Sequence, residues 1–212
     1  MDQLDKLKKE WQSREQELPK VSYNSIYKML LKKSSSIVKW IFIIGVIELL
    51  FWISLYFVIP EDNIEVMNEM GIGDIMFYSN IVHFIIFGIF IFFFYKNYQS
   101  IQVTDNTKML MQNILNTRKT VRYFVYYNLG MFVLASIAID SYFYSRSHQL
   151  YEIMDFANKG IPEEGFATTF IISQIIVGVL VIGLLIVFYW LVYGILLKRL
   201  NRNYKELKKM DD

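Results

Sequence analysis

The stretch VKWIFIIGVIELLFWISLYFVI, Val38 to Ile59, decides the fold. Apart from Lys39 near its start, Glu48 in its middle, Gly45 and Ser54, every side chain is apolar, and Pro60 closes it. About 20 residues at ~1.5 Å rise cross a hydrocarbon layer of roughly 30 Å. A run of this length and composition reads as a transmembrane helix. Three more runs follow, from about Met76 to Tyr95, Val121 to Tyr144 and Phe166 to Leu197. The last is too long for one upright crossing, so it must tilt or begin outside the hydrocarbon.

The connections between the runs differ in charge. Residues 1–39 hold nine Lys and Arg, residues 96–122 hold five against Asp105 alone, and the tail from Lys198 holds six. The connection from Pro60 to Ile75 holds none against five acids, and residues 145–166 hold two against four. Short connections rich in Lys and Arg stay cytoplasmic. Both termini and the middle connection are therefore expected inside, in a bacterial inner membrane, with the two acidic loops outside. Residues 1–20 are charged throughout and show no secretory signal, so the first span is expected to act as an uncleaved anchor. The net charge of +2 carries little by itself.

The expected fold is an all-α, integral membrane four-helix bundle with cytoplasmic helical extensions. Residues 1–37 form cytoplasmic amphipathic helices. Residues 38–212 form the transmembrane domain, with a cytoplasmic helical hairpin over 96–122 and a basic tail over 198–212. In residues 2–18, Leu4, Leu7, Trp11 and Leu18 fall at three- and four-residue steps, with Arg14 in the gap, until Pro19 ends the pattern. That face either packs on protein or lies on the lipid surface. A second face, Ile26, Tyr27, Leu30 and Leu31, begins where Ser22 or Ser25 is a suitable cap. It either continues through KKSSSIVKW into the first span or hinges at the three serines. In the middle connection Thr104 or Asp105 is the expected N-cap, and Met111, Ile114, Leu115 and Arg118 share a face leading into the third span.

Several polar groups sit inside the apolar runs. Glu48, ten residues in from Val38, lies ~15 Å deep. A carboxyl there either is protonated or faces the bundle and accepts hydrogen bonds, and an ionised acid costs roughly 2.5–3.5 kcal/mol. Tyr189, Asn128 and Tyr127 are the candidate donors at that depth. Such a group serves either as a proton or ligand site or as polar glue that fixes helix register. His83, Asp140 and Gln174 fall at one level nearer the outer surface, where a His83–Asp140 ion pair or an interfacial hydrogen-bond cluster is expected.

Enzyme chemistry is poorly supplied. The chain has two histidines, His83 and His148, and no cysteine. A zinc protease needs two His and a carboxylate at set spacing, and no nucleotide-binding glycine motif appears. The glycines of GIG, Gly71–Gly73, read as a turn. No cofactor, metal or nucleic-acid partner is expected. A transporter usually shows paired broken helices, but nothing in the first half mirrors Gly178 and Gly183.

The segments KSSSIVKWIF (residues 33–42) and RKTVRYFVYYNLGMF (residues 118–132) resemble a group of small four-helix membrane proteins of Bacteroidetes, especially flavobacteria. Members are sometimes labelled carotene oxygenases, which the two histidines here argue against. The resemblance also implies a link to extracytoplasmic-function sigma factors, although 37 residues is short for an anti-sigma domain. The expected function is a non-enzymatic regulator or scaffold. Its cytoplasmic residues Leu4, Leu7, Trp11, Ile26, Tyr27 and Leu30 would bind a protein partner, conceivably a sigma factor. The alternatives are a small proton-linked transporter using Glu48 and an accessory subunit of a larger membrane complex, and a homo-oligomer fits the same pattern.

Overall fold

The computed structural model describes Lys8, residues 22–104 and residues 106–211. These residues form helices joined by short turns and one longer irregular connection, with no strand among them. Helix α1 (Tyr23–Tyr56) starts at Ser22, whose extended backbone lets its hydroxyl accept from the Ser25 N–H. It passes through the three serines without a break, so of the two expectations the continuous helix is found and the hinge is not. Ser34 is tolerated because it faces inward, where its hydroxyl accepts from Asn203 at 3.1 Å.

The short α2 (Glu61–Glu69) follows Pro60, with Glu61 and Asp62 in a first turn that favours acids. It ends on Gly71, whose φ of +79° is open to glycine at little cost. Around that residue, Ile72 N–H reaches the Met67 carbonyl and Gly71 N–H reaches that of Asn68, a Schellman stop. Helix α3 (Gly73–Gln102) then runs back. Helix α4 (Thr107–Ser145) begins at Asn106, whose side chain caps the Lys108 N–H. The Thr104 hydroxyl bonds the Ser100 carbonyl instead of capping, and Asp105 lies outside the described residues. The short α5 (Ser147–Ile153) precedes α6 (Phe166–Tyr189). A π-helical turn (Trp190–Gly194) joins α6 to α7 (Ile195–Asp211).

Four helices are long and apolar enough to cross a membrane: Tyr23–Tyr56, Gly73–Gln102, Thr107–Ser145 and the continuous Phe166–Met210. They pack α1 on α3, α3 on α4, α4 on α6 and α7, and α7 back on α1. In the first half of α4 the buried positions are Thr107, Leu110, Ile114, Thr117, Val121 and Phe124, three and four apart, and Phe143 is buried near its end. Those of α1 are Leu30, Ser34, Val38, Ile41, Gly45 and Glu48, and α3 buries Phe87, Phe94 and Ile101 at sevens. This 3.5-residue repeat is the seam of helices packed side by side. At Gly45 the helices approach so closely that a Cβ would stand 2.8 Å from Ile91 Cδ1 and 3.1 Å from the Phe94 ring.

Three buried clusters stack along the bundle. At the basic end Leu30, Val38, Ile101, Leu110, Ile114, Leu200 and Leu207 join all four long helices. In the middle Phe124 meets Phe87, Phe94 and Tyr193 at ring distances of 5.0, 5.2 and 5.7 Å. At the acidic end Met70, Ile72, Phe143 and Leu150 form a cap in which the two acidic connections fold as α2 and α5. The large apolar side chains outside these clusters point outward: only Tyr189 of α6 is buried, and Ile172, Val179, Leu180 and Leu184 are more than half exposed. Helices in apolar surroundings gain little from hiding Leu or Ile, so their contacts rest on close packing and polar glue.

Candidate functional site

Glu48 faces the bundle, 5% exposed. Its Oε1 accepts from the Tyr189 hydroxyl at 2.6 Å and its Oε2 from the Tyr193 hydroxyl at 2.8 Å. Trp52, one turn along α1, lines the space beside this clasp. The expected donor Tyr189 is therefore found, and Tyr193 joins it. Two tyrosines four residues apart share a helix face and so serve one carboxyl, and the π turn begins directly after Tyr189 and holds Tyr193. A π turn inserts one extra residue and shifts which side chains face inward. Beyond it Tyr193, Leu200, Asn203 and Leu207 face the core, and before it Leu185 replaces the position that Ile186 would otherwise take.

The other expected donors are occupied elsewhere. Asn128 gives its amide to the Phe124 carbonyl of its own helix at 2.8 Å. The Tyr127 hydroxyl lies 3.3 Å from His83 Nδ1, and the two rings stack at 5.7 Å, 13° from parallel. His83 thus pairs with Tyr127 and not with Asp140. Among the described residues no hydrogen bond or ion pair joins His83, Asp140 and Gln174, which corrects the expected cluster. His83 lies opposite Tyr127, thirteen residues along α4 from Asp140, so about 20 Å of helical rise separates the two in depth.

The faces expected to bind a partner are also redirected. Leu30 is buried, and Ile26 and Tyr27 pack against its cluster. The Tyr27 hydroxyl donates to the Thr104 carbonyl at 2.8 Å, and Tyr23 bonds Thr107 at 2.8 Å. This face is covered by the α3–α4 turn. Leu4, Leu7 and Trp11 lie outside the described residues.

Beside the clasp is a cavity of about 410 Å³. Trp52, Leu55 and Tyr56 of α1, with Ile59 just beyond its end, form one wall, and Ser79, Asn80, His83 and Phe84 of α3 another. Asn128, Met131, Phe132, Ala135 and Ile139 of α4 face Leu185 and Tyr189 of α6. Tyr189 is thus both a donor to Glu48 and part of the cavity wall. Among the described residues no three His, Asp or Glu side chains are grouped to hold a metal ion.

Residues 24–212 match a protein family described as Domain of unknown function (DUF8845). The chain belongs to that family. The match covers all four long helices, with the clasp and the cavity. No curated protein and no solved structure matches the chain.

At the acidic end His148 Nδ1 lies 2.6 Å from Glu163 Oε1 and Nε2 lies 3.5 Å from Glu152. The hydrogen bond to Glu163, with the charges of Glu152 and Glu163, raises the imidazole pKa above its ordinary value. The Glu152 contact is an i,i+4 pair on α5, whereas sequence spacing did not point to Glu163, which the irregular turn over 155–165 brings back over α5.

Proposed function

We propose that the protein is a multi-pass protein of a bacterial inner membrane, with its basic end in the cytoplasm, acting as a non-enzymatic platform for a partner with an acidic surface. The observation that carries this reading is the charge of the basic end. Over residues 22–39, 96–122 and 198–212 there are fifteen Lys and Arg against Asp105, Glu206, Asp211 and Asp212. The orientation rule accounts for those near the apolar belt. Screening limits attraction to lipid headgroups to a reach of about 8–10 Å. Helix α7 carries Lys205, Lys208 and Lys209 about 10–17 Å beyond Lys198 by helical rise. Of these distal cations none is paired among the described residues, where the one ion pair of α7 is Arg202–Glu206 at 4.0 Å.

The apolar core of this end is closed by its own helices, so the partner surface is the charged exterior and not Ile26, Tyr27 or Leu30. A sigma factor is the partner the resemblance brings forward. Cross-linking in native membranes, comparing the wild type with Lys205→Glu/Lys208→Glu/Lys209→Glu, tests this. The triple variant should lose most of any cross-linked protein, and an unchanged pattern refutes the platform. Reporter fusions after Asn63 and Asn158 should lie outside the cytosol, and one after Asp212 inside.

A second reading, a proton-linked transporter, draws on Glu48 beside the cavity. It requires Glu48→Gln to abolish function while the protein still folds. A subunit of a larger complex would migrate on a native gel well above the mass of this chain.

A further inference from the structure

We infer that the cavity between α1, α3, α4 and α6 is a binding site for an uncharged amphiphile, a molecule with a long apolar body and one hydrogen-bonding oxygen head. The inference rests on the membrane-spanning part of the reading above and not on the partner.

The cavity exists because two helices separate. Helix α1 packs along α7 but makes no comparable contact with α6, so above the clasp the first and fourth long helices part. Packed interiors leave few voids larger than a water molecule, and about 410 Å³ falls within the usual size of ligand sites. A second cavity of about 290 Å³ shares Tyr56, Ile59, Met76 and Asn80 with the first and extends it toward the acidic end.

The chemistry of the walls selects the ligand. No Lys, Arg, Asp or Glu lines the larger cavity. A phosphate or carboxylate head would lie there without a counter-charge, at a cost that excludes phospholipids and ionised fatty acids. Yet the lining is not wholly apolar. His83 spends Nδ1 on Tyr127 and has no described partner for Nε2. Asn128 spends one amide hydrogen on Phe124, and Asn80 has no described partner. None of these atoms is both buried and unsatisfied, so their free valences are accessible.

Depth separates this site from ordinary lipid contact. His83 is ten residues into α3, about 15 Å from its first residue by helical rise. Bilayer lipids keep their heads at the interface, outside the hydrocarbon core. A polar group at this depth suits a neutral head, such as a hydroxyl or a ketone, that can be carried inward. Such a head accepts from Asn80 and Asn128 while its body lies along Trp52, Phe84 and Phe132.

The test uses the full chain in nanodiscs at pH 8, with a diazirine-bearing hexadecanol and the matching hexadecanoic acid as photolabels. The alcohol should label residues 52–59, 79–84 and 128–139 about tenfold more than the acid does. Asn80→Leu/Asn128→Leu should reduce that labelling about tenfold while labelling of the exposed face at residues 179–184 stays constant. Ala135→Phe, which narrows the cavity without touching its polar groups, should reduce it as well. Equal labelling by alcohol and acid, or undiminished labelling in the double Leu variant, overturns the site. Should the variants fail to fold, the comparison of alcohol with acid on the wild type decides alone. Failure of both probes to label residues 179–184 would instead remove the membrane reading itself.

Discussion

Replacing Glu48 by Leu separates energetic glue from passive filling. In the native bundle each carboxyl oxygen takes one tyrosine hydroxyl, at 2.6 and 2.8 Å, and all three residues are buried. Interhelical hydrogen bonds in apolar surroundings contribute about 0.6 kcal/mol each on average, up to about 1.7. Two such bonds therefore give a coupling of roughly 1–3 kcal/mol. Glu48→Leu removes both at once and leaves two buried hydroxyls without an acceptor, for which roughly 1–3 kcal/mol each is the expected range. The single variant should lose about 2–6 kcal/mol. Glu48→Leu/Tyr189→Phe/Tyr193→Phe has no orphaned group, and replacing all partners with apolar ones of similar shape is close to neutral. The triple variant should return to within about 1 kcal/mol of the wild type. Reversible unfolding in mixed micelles, followed by far-UV circular dichroism, measures all three proteins. If the triple variant is as unstable as Glu48→Leu, the hydroxyl–carboxyl contacts are not the source of the effect.

Gly45→Ala should destabilise the bundle by about 1 kcal/mol and Gly45→Val by about 2–3, because the added atoms meet Ile91 and the Phe94 ring; the same unfolding assay reads both. Asn203→Ala leaves the Ser34 hydroxyl buried without its partner and should cost about 1–3 kcal/mol. Asn203→Ala/Ser34→Ala should cost less than the two single changes added together. For His148 the folded pKa is raised above the ordinary value of about 6.5. The stabilisation it gives the acidic-end cap is complete below that ordinary value and is lost as pH rises through the raised one. An NMR titration of the imidazole should show the raised value falling back in Glu163→Gln, while no change on that substitution would discard the contact.

The apolar runs and the alternation of charge were legible because both are one-dimensional signals. The four long helices follow the runs, and the continuous passage of α4 from the middle connection into the third span follows its unbroken pattern. The depth of Glu48 was legible too, and it led to Tyr189. Rotation and the offset of one helix along another were not. Tyr193 was missed because matching depth alone selected Tyr189, although a spacing of four residues puts both hydroxyls on one face. His83 and Asp140 do not even share a level, because the helices are offset along their axes and bring His83 opposite Tyr127. The helices in the acidic connections were missed because α2 and α5 are too short for periodicity to stand out, and the cap of Met70, Ile72, Phe143 and Leu150 forms only when distant segments meet. Ile26, Tyr27 and Leu30 show the limit from the other side. An apolar face on a helix reads the same in sequence whether its cover is a partner or the chain's own hairpin.

The fourth long helix has one joint, the five residues from Trp190 to Gly194. Above and below it the helix is a stiff rod, so the joint is where the two halves can trade register. A single residue slipping through would twist everything beyond it by about 100° and swing Leu200 and Leu207 off the seam. Asn203, hooked to Ser34 on the neighbouring rod, works against that slip like a pawl on a ratchet. The tyrosines that grip Glu48 sit at the same joint, so the setting of this screw is read at the carboxyl and kept at the asparagine.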